Sequence, residues 1–265
     1  SSALLSHTSG NHNTAIGSNA AQSLTTASSG LFIGSSAGQC TTTNSGHYVG
    51  YRAGYLQTGA VNTAFGQSAM AGVNGCTNTG SYNTAIGHRT LQNLDTGVNN
   101  TGVGYFALQS NNTGSHNVAV GVQTMQCNTS GCFNIALGRN SLGANTIACC
   151  NVAVGHNSMA CNTTGNSNTA LGHVSLCTNT TGNQNVAIGH TAMASADSDG
   201  SVGIGYRSLQ NATGNYNIGI GRETLRAASF SGASNIAIGN ETGYSMTTGS
   251  FNVAVGGYAL HNTST

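Results

Sequence analysis

The sequence predicts an all-β fold: a parallel β-solenoid (β-roll) of about 15 coils with a ~17-residue repeat. Three observations carry this. The motif N-x-A-x-G recurs along nearly the whole chain, as at Asn13–Gly17, Asn117–Gly121, Asn185–Gly189 and Asn252–Gly256. The closing glycines, from Gly17 to Gly256, follow at steps of 16–18 residues, except for one longer step between Gly66 and Gly87 that carries extra residues around Val73–Gly80. The positions between them repeat in character. A unit this short cannot bury a core alone, so each copy must be one coil of a stack. No step is long enough for an inserted domain, which makes residues 1–265 a single repeat domain.

Taking the closing glycine as position 0, position −1 is apolar throughout, from Ile16, Ile33 and Val49 to Val255, and −3 is often β-branched, as at Thr84, Val118 and Ile135. Period-two alternation marks a strand, and these two columns are expected to form its buried face. A second apolar column falls at +4, including Met70, Leu91, Leu108, Met125, Leu142 and Leu176. It reads as a facing wall on a short second strand. Gly, Asn, Thr and Ser between the walls suit turns. Glycines at −7, such as Gly80, Gly114, Gly165 and Gly249, are expected at corners with positive φ. Stacked at ~4.8 Å per coil, 15 coils make a rod of roughly 70 Å. This density of glycine excludes a helical fold, and the fixed apolar columns exclude disorder.

Two columns bear on assembly. Position −4 is usually Asn, as at Asn117, Asn134, Asn151, Asn168 and Asn185. An amide carries both donors and an acceptor, so stacked copies should form an internal ladder. Position −2 is Ala or Gly in most coils, as at Ala119, Ala136, Ala153, Ala170 and Ala187. Something must pack closely on that face: either the second wall of a flattened coil or another copy of the chain. The expectation is another copy, giving inter-chain packing in a parallel homotrimer.

Composition narrows the function. Charged residues are only 4% of the chain and the formal net charge is +1, so nothing suggests an electrostatic hold on nucleic acid or an anionic membrane. No apolar run reaches the ~18 residues of a membrane span, and Ser1–Gly10 shows no signal-peptide pattern. Proline, which would interrupt parallel ladders, is absent. The chain begins and stops within a repeat, and neither end offers a cap. Bare solenoid ends invite pairing.

The pattern N-x-A-x-G-x-x-[AS]-L resembles the head repeats of trimeric autotransporter adhesins. It is still more similar to the N-T-A-x-G-x-x-A-L-x-x-N-T-T-G repeats of phage tail fibre proteins. Good matches are Asn117–Gly131, Asn151–Gly165 and Asn168–Gly182, and the resemblance covers essentially the whole chain. It implies a trimeric parallel β-solenoid serving as a stalk or adhesive shaft. The chain departs from it in lacking a recognisable tip or anchor and in being rich in cysteine.

Candidate chemistry is sparse. Cys132 and Cys149 share position +11 in consecutive coils, where stacking would bring their Cα atoms ~5 Å apart, within disulfide range. Cys161 and Cys177, at +6 and +5 of neighbouring coils, are a looser match; Cys40, Cys76 and Cys150 have no obvious partner. A disulfide would imply an oxidising, extracellular setting. His156, His173 and His190 stack at +1 and read as a solvent-facing polar strip rather than a metal site. Asp197 and Asp199 are the nearest approach to the carboxylate pair of a glycan-cleaving enzyme, and read as a solvated turn. Thr129, Thr146, Thr163 and Thr180 form a +8 column too interrupted (Asn74, Asp95, Asn112, Asp197) for an ice-binding face. Sequons at Asn99, Asn111, Asn128, Asn162, Asn179, Asn211, Asn240 and Asn262 would allow a glycan coat.

The expected function is therefore a non-enzymatic fibre shaft, structural or adhesive, without catalytic residues, cofactor or metal. Its setting would be extracellular, on a cell surface or on a virion. Its partners would be copies of itself, with a host-surface glycan or receptor as a further one; it would not insert into a membrane. The alternative is a subunit of an extracellular filament stacking end to end. A glycan-cleaving spike and an ice-binding solenoid rank below both.

Overall fold

A computed structural model describes residues 2–42, 45–72 and 78–264. Cys76, Asn74 and most of the extra residues of the long coil lie outside the described residues. Two compact units result, residues 1–133 and 134–265. The first carries strands β1 (Thr14–Ile16) to β7 (Val118–Val120), and the second β8 (Ile135–Leu137) to β15 (Val253–Val255). Each strand is three residues long, one per coil, and occupies positions −3 to −1. Within each unit, strands adjacent in sequence pair in parallel. The register keeps like over like, as in Ala153↔Ala170↔Ala187. The chain is thus an all-β parallel solenoid, with no helix among the described residues.

The strand faces inward through its middle residue. Ala119, Ala136, Ala153, Ala170 and Ala187 are all fully buried within their own chain, whereas Ile86, Val120, Ile135 and Leu137 on either side of such alanines are exposed. This reverses the expected orientation and withdraws the inter-chain role given to the five alanines. What limits their size is the flattened coil's own second wall. At Gly102 an added Cβ would press on Thr90 Cγ2, and at Gly203 on Met193 Cγ. Residues at +3 and +4 therefore lie directly over the −2 column and leave no room beyond a methyl group.

That second wall is a stack of turns, not a strand. Positions +2 and +4 both hold left-handed backbone; at +4 the buried Met70, Leu91, Leu108, Met125, Leu142 and Leu176 have φ between 48 and 51°. No β ladder can run through such residues. The conformation costs roughly 1–2 kcal/mol per residue, and burying a Leu or Met side chain returns about 1.5–3 kcal/mol. Apolar side chains are thus held where turn chemistry alone would favour Gly or Asn.

Glycine is essential at position 0, where φ lies between 118 and 141°, a region barred to side-chain-bearing residues. Gly10 has the positive φ expected of a corner (107°), but most −7 glycines serve a different purpose. Gly114 and Gly165 do not have left-handed backbone; a Cβ at Gly165 would collide with the Gly182 carbonyl and the Asn162 side chain. Close approach of stacked coils, not backbone freedom, requires glycine there.

Two buried asparagine columns run through the interior. In the first unit the Asn83 amide N–H and Nδ2 donate to Asn62 Oδ1 at 2.9 and 3.3 Å, and Asn100 repeats this on Asn83 at 2.9 and 3.0 Å. Asn117 does the same on Asn100 at 3.0 and 3.1 Å. In the second unit the Asn151 N–H donates to Asn134 Oδ1 at 3.0 Å, Asn168 to Asn151 and Asn185 to Asn168, each at 2.9 Å. Ser201 substitutes at one rung, its hydroxyl accepting the Asn217 N–H at 3.2 Å. The second column sits at +7, where Asn162 Nδ2 donates to Asn145 Oδ1 at 3.3 Å and Asn179 Nδ2 to Asn162 Oδ1 at 2.9 Å.

Candidate interaction surface

With alanine facing inward, the larger aliphatic side chains face out. In the second unit the outward positions of β8 to β15 are Val, Ile or Leu in fifteen of sixteen cases, Thr169 being the exception. Eight coils at ~4.8 Å, with columns ~7 Å apart, give an apolar strip on the order of 300–400 Å², as large as the largest patch on a typical soluble monomer. Val253 and Val255 are 71% and 68% exposed. In the first unit the −1 column is equally apolar, including Ile16, Phe65, Ile86 and Val120, but −3 is mostly Thr or His. The outward face is thus a uniform aliphatic ribbon in the second unit and a half-polar one in the first.

Beside the ribbon runs the +1 strip. His156 and His173 stack with ring centroids 5.2 Å apart, His173 and His190 at 5.0 Å, and His190 and Tyr206 at 5.6 Å. In the first unit His88 stacks on Tyr105 at 5.5 Å, and Phe106 packs against both. Among the described residues no group of three or more His, Cys, Asp or Glu is placed to hold a metal ion.

The two aspartates serve the backbone. Asp197 Oδ1 accepts the amide N–H groups of Thr180, Thr181 and Gly182 at 3.2, 3.1 and 2.9 Å, and Oδ2 accepts the Thr180 hydroxyl at 2.7 Å. Partial burial pushes this carboxyl up, but the hydrogen bonds outweigh it and hold it below the usual carboxylate range. Asp199 Oδ1 accepts the Asn183 N–H at 2.7 Å. In a coil one residue shorter than its predecessor, the Asp197 side chain supplies acceptors that the Thr180 backbone carbonyl supplies to Thr163 one coil earlier, at 3.0 Å. The threonines are similarly engaged: Thr146 and Thr163 donate their hydroxyls to the carbonyls of Thr163 and Thr180 at 3.1 and 3.0 Å. These hydroxyls face the next coil rather than forming an array for water.

The sequons divide. Asn111, Asn128, Asn162 and Asn179 are fully buried +7 residues, so a glycan there is incompatible with the fold. Asn99 and Asn262 are exposed. Cys132 belongs to the first unit and Cys149 to the second. Cys132 Sγ donates to the Ser130 carbonyl at 3.3 Å and Cys149 Sγ to the Ile147 carbonyl at 3.5 Å.

One cluster was not foreseen. Three of the six arginines and two of the five acidic residues fall between 207 and 241. Arg207, Arg222 and Arg226 lie 3.7, 3.5 and 3.7 Å from the buried Glu223 carboxylate, and Arg222 reaches Glu241 at 3.0 Å. Arg226 also donates to the Tyr244 hydroxyl at 2.8 Å beside a cavity of about 200 Å³ lined by Asn211, Arg226, Ala227, Ala228 and Tyr244. The concentration of charge in a chain with only 4% charged residues is the sequence signal for it.

The chain matches no family model and no curated protein. No described helix is long and apolar enough to cross a membrane.

Proposed function

We propose that the chain is a non-enzymatic shaft segment of a fibre, assembled as a parallel homotrimer through the outward faces of its sheets. One observation carries this reading: the Val, Ile and Leu of the strands lie on the outer face of the sheet, while the strands turn only Ala or Gly inward in most coils. An exposed aliphatic ribbon of this size marks a surface that a partner covers. A second copy of the same chain is the occupant whose period matches it coil for coil, since stacked strands repeat at ~4.8 Å in both partners. The near absence of charge on the ribbon leaves no repulsion to oppose self-association.

The resemblance to phage tail fibre and trimeric adhesin repeats agrees with this geometry and suggests a virion or cell-surface setting, with a host-surface glycan or receptor as the second partner. Engagement of Asp197 and Asp199 in coil stacking argues against a role for them in glycan cleavage. Sedimentation of the purified chain tests the proposal. A discrete trimer is expected; a monomer at micromolar concentration would overturn it, and polymers that lengthen with concentration would instead favour the end-to-end filament.

A further inference from the structure

Cys161 and Cys177 occupy neighbouring coils of the second unit. The Cys161 amide N–H donates to the Cys177 carbonyl at 2.9 Å, so the two residues abut across the stack. The two are offset by one residue in the stack, so a coil spacing of ~4.8 Å and a residue step of ~3.8 Å set their Cα atoms roughly 6 Å apart on the diagonal, inside the ~4.4–6.8 Å that a disulfide spans. Neither forms a disulfide in this structure. Burial, reinforced by the neighbouring Cys161 sulfur, pushes the Cys177 thiol up. Cys161 is exposed and Cys177 half-buried. The coils on either side present Ala144 and Ala194 at the equivalent positions, so no other sulfur competes for the pair from an adjoining coil.

We propose that Cys161 and Cys177 are a redox-closed staple between two coils, formed by exchange with a small-molecule disulfide. The exposed Cys161 thiolate attacks one sulfur of the external disulfide, forming a mixed disulfide and releasing one external thiolate. The Cys177 thiolate then attacks Cys161 Sγ, forming the Cys161–Cys177 bond and expelling the second. Two protein thiols are oxidised, one external disulfide is reduced to two thiols, and the two protons lost by the cysteines end on the released thiols. The half-buried thiol is placed to act second, because its partner is the one the reagent can reach.

The bond would close a loop of about one coil and so restrict the unfolded chain. Coil stacking in this unit would then be reinforced outside a reducing compartment and relaxed within one. The pairing is distinct from that expected of Cys132 and Cys149, whose residues fall in different units.

The test treats the full chain with oxidised glutathione, alkylates the remaining thiols, digests with chymotrypsin and maps masses. A peptide joining Cys161 to Cys177 is expected. A thermal midpoint ~5 °C above that of the dithiothreitol-treated chain should accompany it. The shift should be missing from Cys161→Ser and Cys177→Ser alike. Recovery of Cys161 as a stable glutathione adduct with Cys177 alkylated would overturn the proposal, as would linkage of either to another cysteine or another chain. A cross-linked peptide that leaves the midpoint unmoved would overturn the stapling role. Mapping the unmutated chain keeps the test valid if a serine variant fails to fold.

Discussion

Phe32 and Tyr48 meet edge to face in the interior of adjacent coils, with ring centroids 5.7 Å apart. Every other coil carries Ala or Gly at that position. The rings fit because their surroundings shrink in step. Gly30 and Gly38 line Phe32, and Gly46 and Gly54 line Tyr48, so a Cβ at any of these four would strike a ring. In other coils the same places usually hold the ladder asparagine and the +4 Leu or Met. Core volume is thus conserved coil by coil while its source moves from one wall to the other.

This exchange predicts a compensating pair. Phe32→Ala alone should cost about 3–5 kcal/mol through the cavity it leaves. Gly38→Leu alone should also destabilise, by overpacking against the ring. Together they should recover most of the loss, because Gly38 already has φ of 56°, close to the 51° at which Leu91 holds the equivalent position. Urea denaturation of the two single variants and the double variant measures the coupling. Additive losses would show that residues 32 and 38 do not share one space.

The corrected strand orientation separates two variants that the opposite orientation would treat alike. Ala153→Leu places three extra carbons against the +3 and +4 wall and should lower stability by about 1–3 kcal/mol or prevent folding. Ile188→Asp puts a charge on the outward ribbon and should leave circular dichroism intact while releasing monomers in sedimentation. An Ile188→Asp chain that still associates like the wild type would overturn the outward ribbon as the assembly surface.

Much of the fold was legible in the sequence. The period, the strand at −3 to −1, the +4 core column and the asparagine ladder position all follow from column statistics, whereas the second strand expected at +4 is a turn. Orientation did not, because alternation shows which residues share a face but not which face is covered. The larger residues were assigned to the core by size, whereas the flattened coil admits only a methyl group. Phe32 with Gly38 and Tyr48 with Gly54 held the missing information, since a bulky −2 residue compensated by glycine at +4 places both columns in one interior. The left-handed +4 backbone was hidden because Leu and Met occupy it in place of the usual Gly or Asn. The clustering of Arg207, Arg222, Glu223, Arg226 and Glu241 is visible in the sequence as charge density, but the ion pairs it forms depend on coil stacking.

The asparagine ladder should be sensitive to loss of its acceptors. Asn168 Oδ1 accepts both the N–H and Nδ2 of Asn185, at 2.9 and 3.1 Å, and Asn168 Nδ2 donates to the Gly182 carbonyl at 2.8 Å. Asn168→Ala strands these partners in the core and should cost about 2–4 kcal/mol. Asn168→Ser should cost less, because the Ser201 hydroxyl already serves as acceptor for Asn217 at the equivalent rung. Chemical denaturation of both variants checks the order. Equal losses would indicate that packing volume, rather than hydrogen bonding, sets the requirement for Asn.

Asp197 should give the second unit an acid-sensitive joint. Its folded-state pKa is depressed: partial burial opposes ionisation, but the Thr180 hydroxyl and the amides of Thr181, Gly182 and Thr180 favour the carboxylate more strongly. For such a group the linked stability is fully present above the unfolded value, ~3.9 for aspartate, and is lost as pH falls through the folded value. The thermal midpoint of the wild type should therefore fall on acidification below about pH 4 more steeply than that of Asp197→Asn. At neutral pH the variant should be the less stable of the two, because a neutral amide oxygen accepts more weakly than a carboxylate from three converging N–H groups. The two melting curves should converge as the wild-type carboxyl is protonated; parallel pH profiles would show that Asp197 does not hold the short coil through its charge.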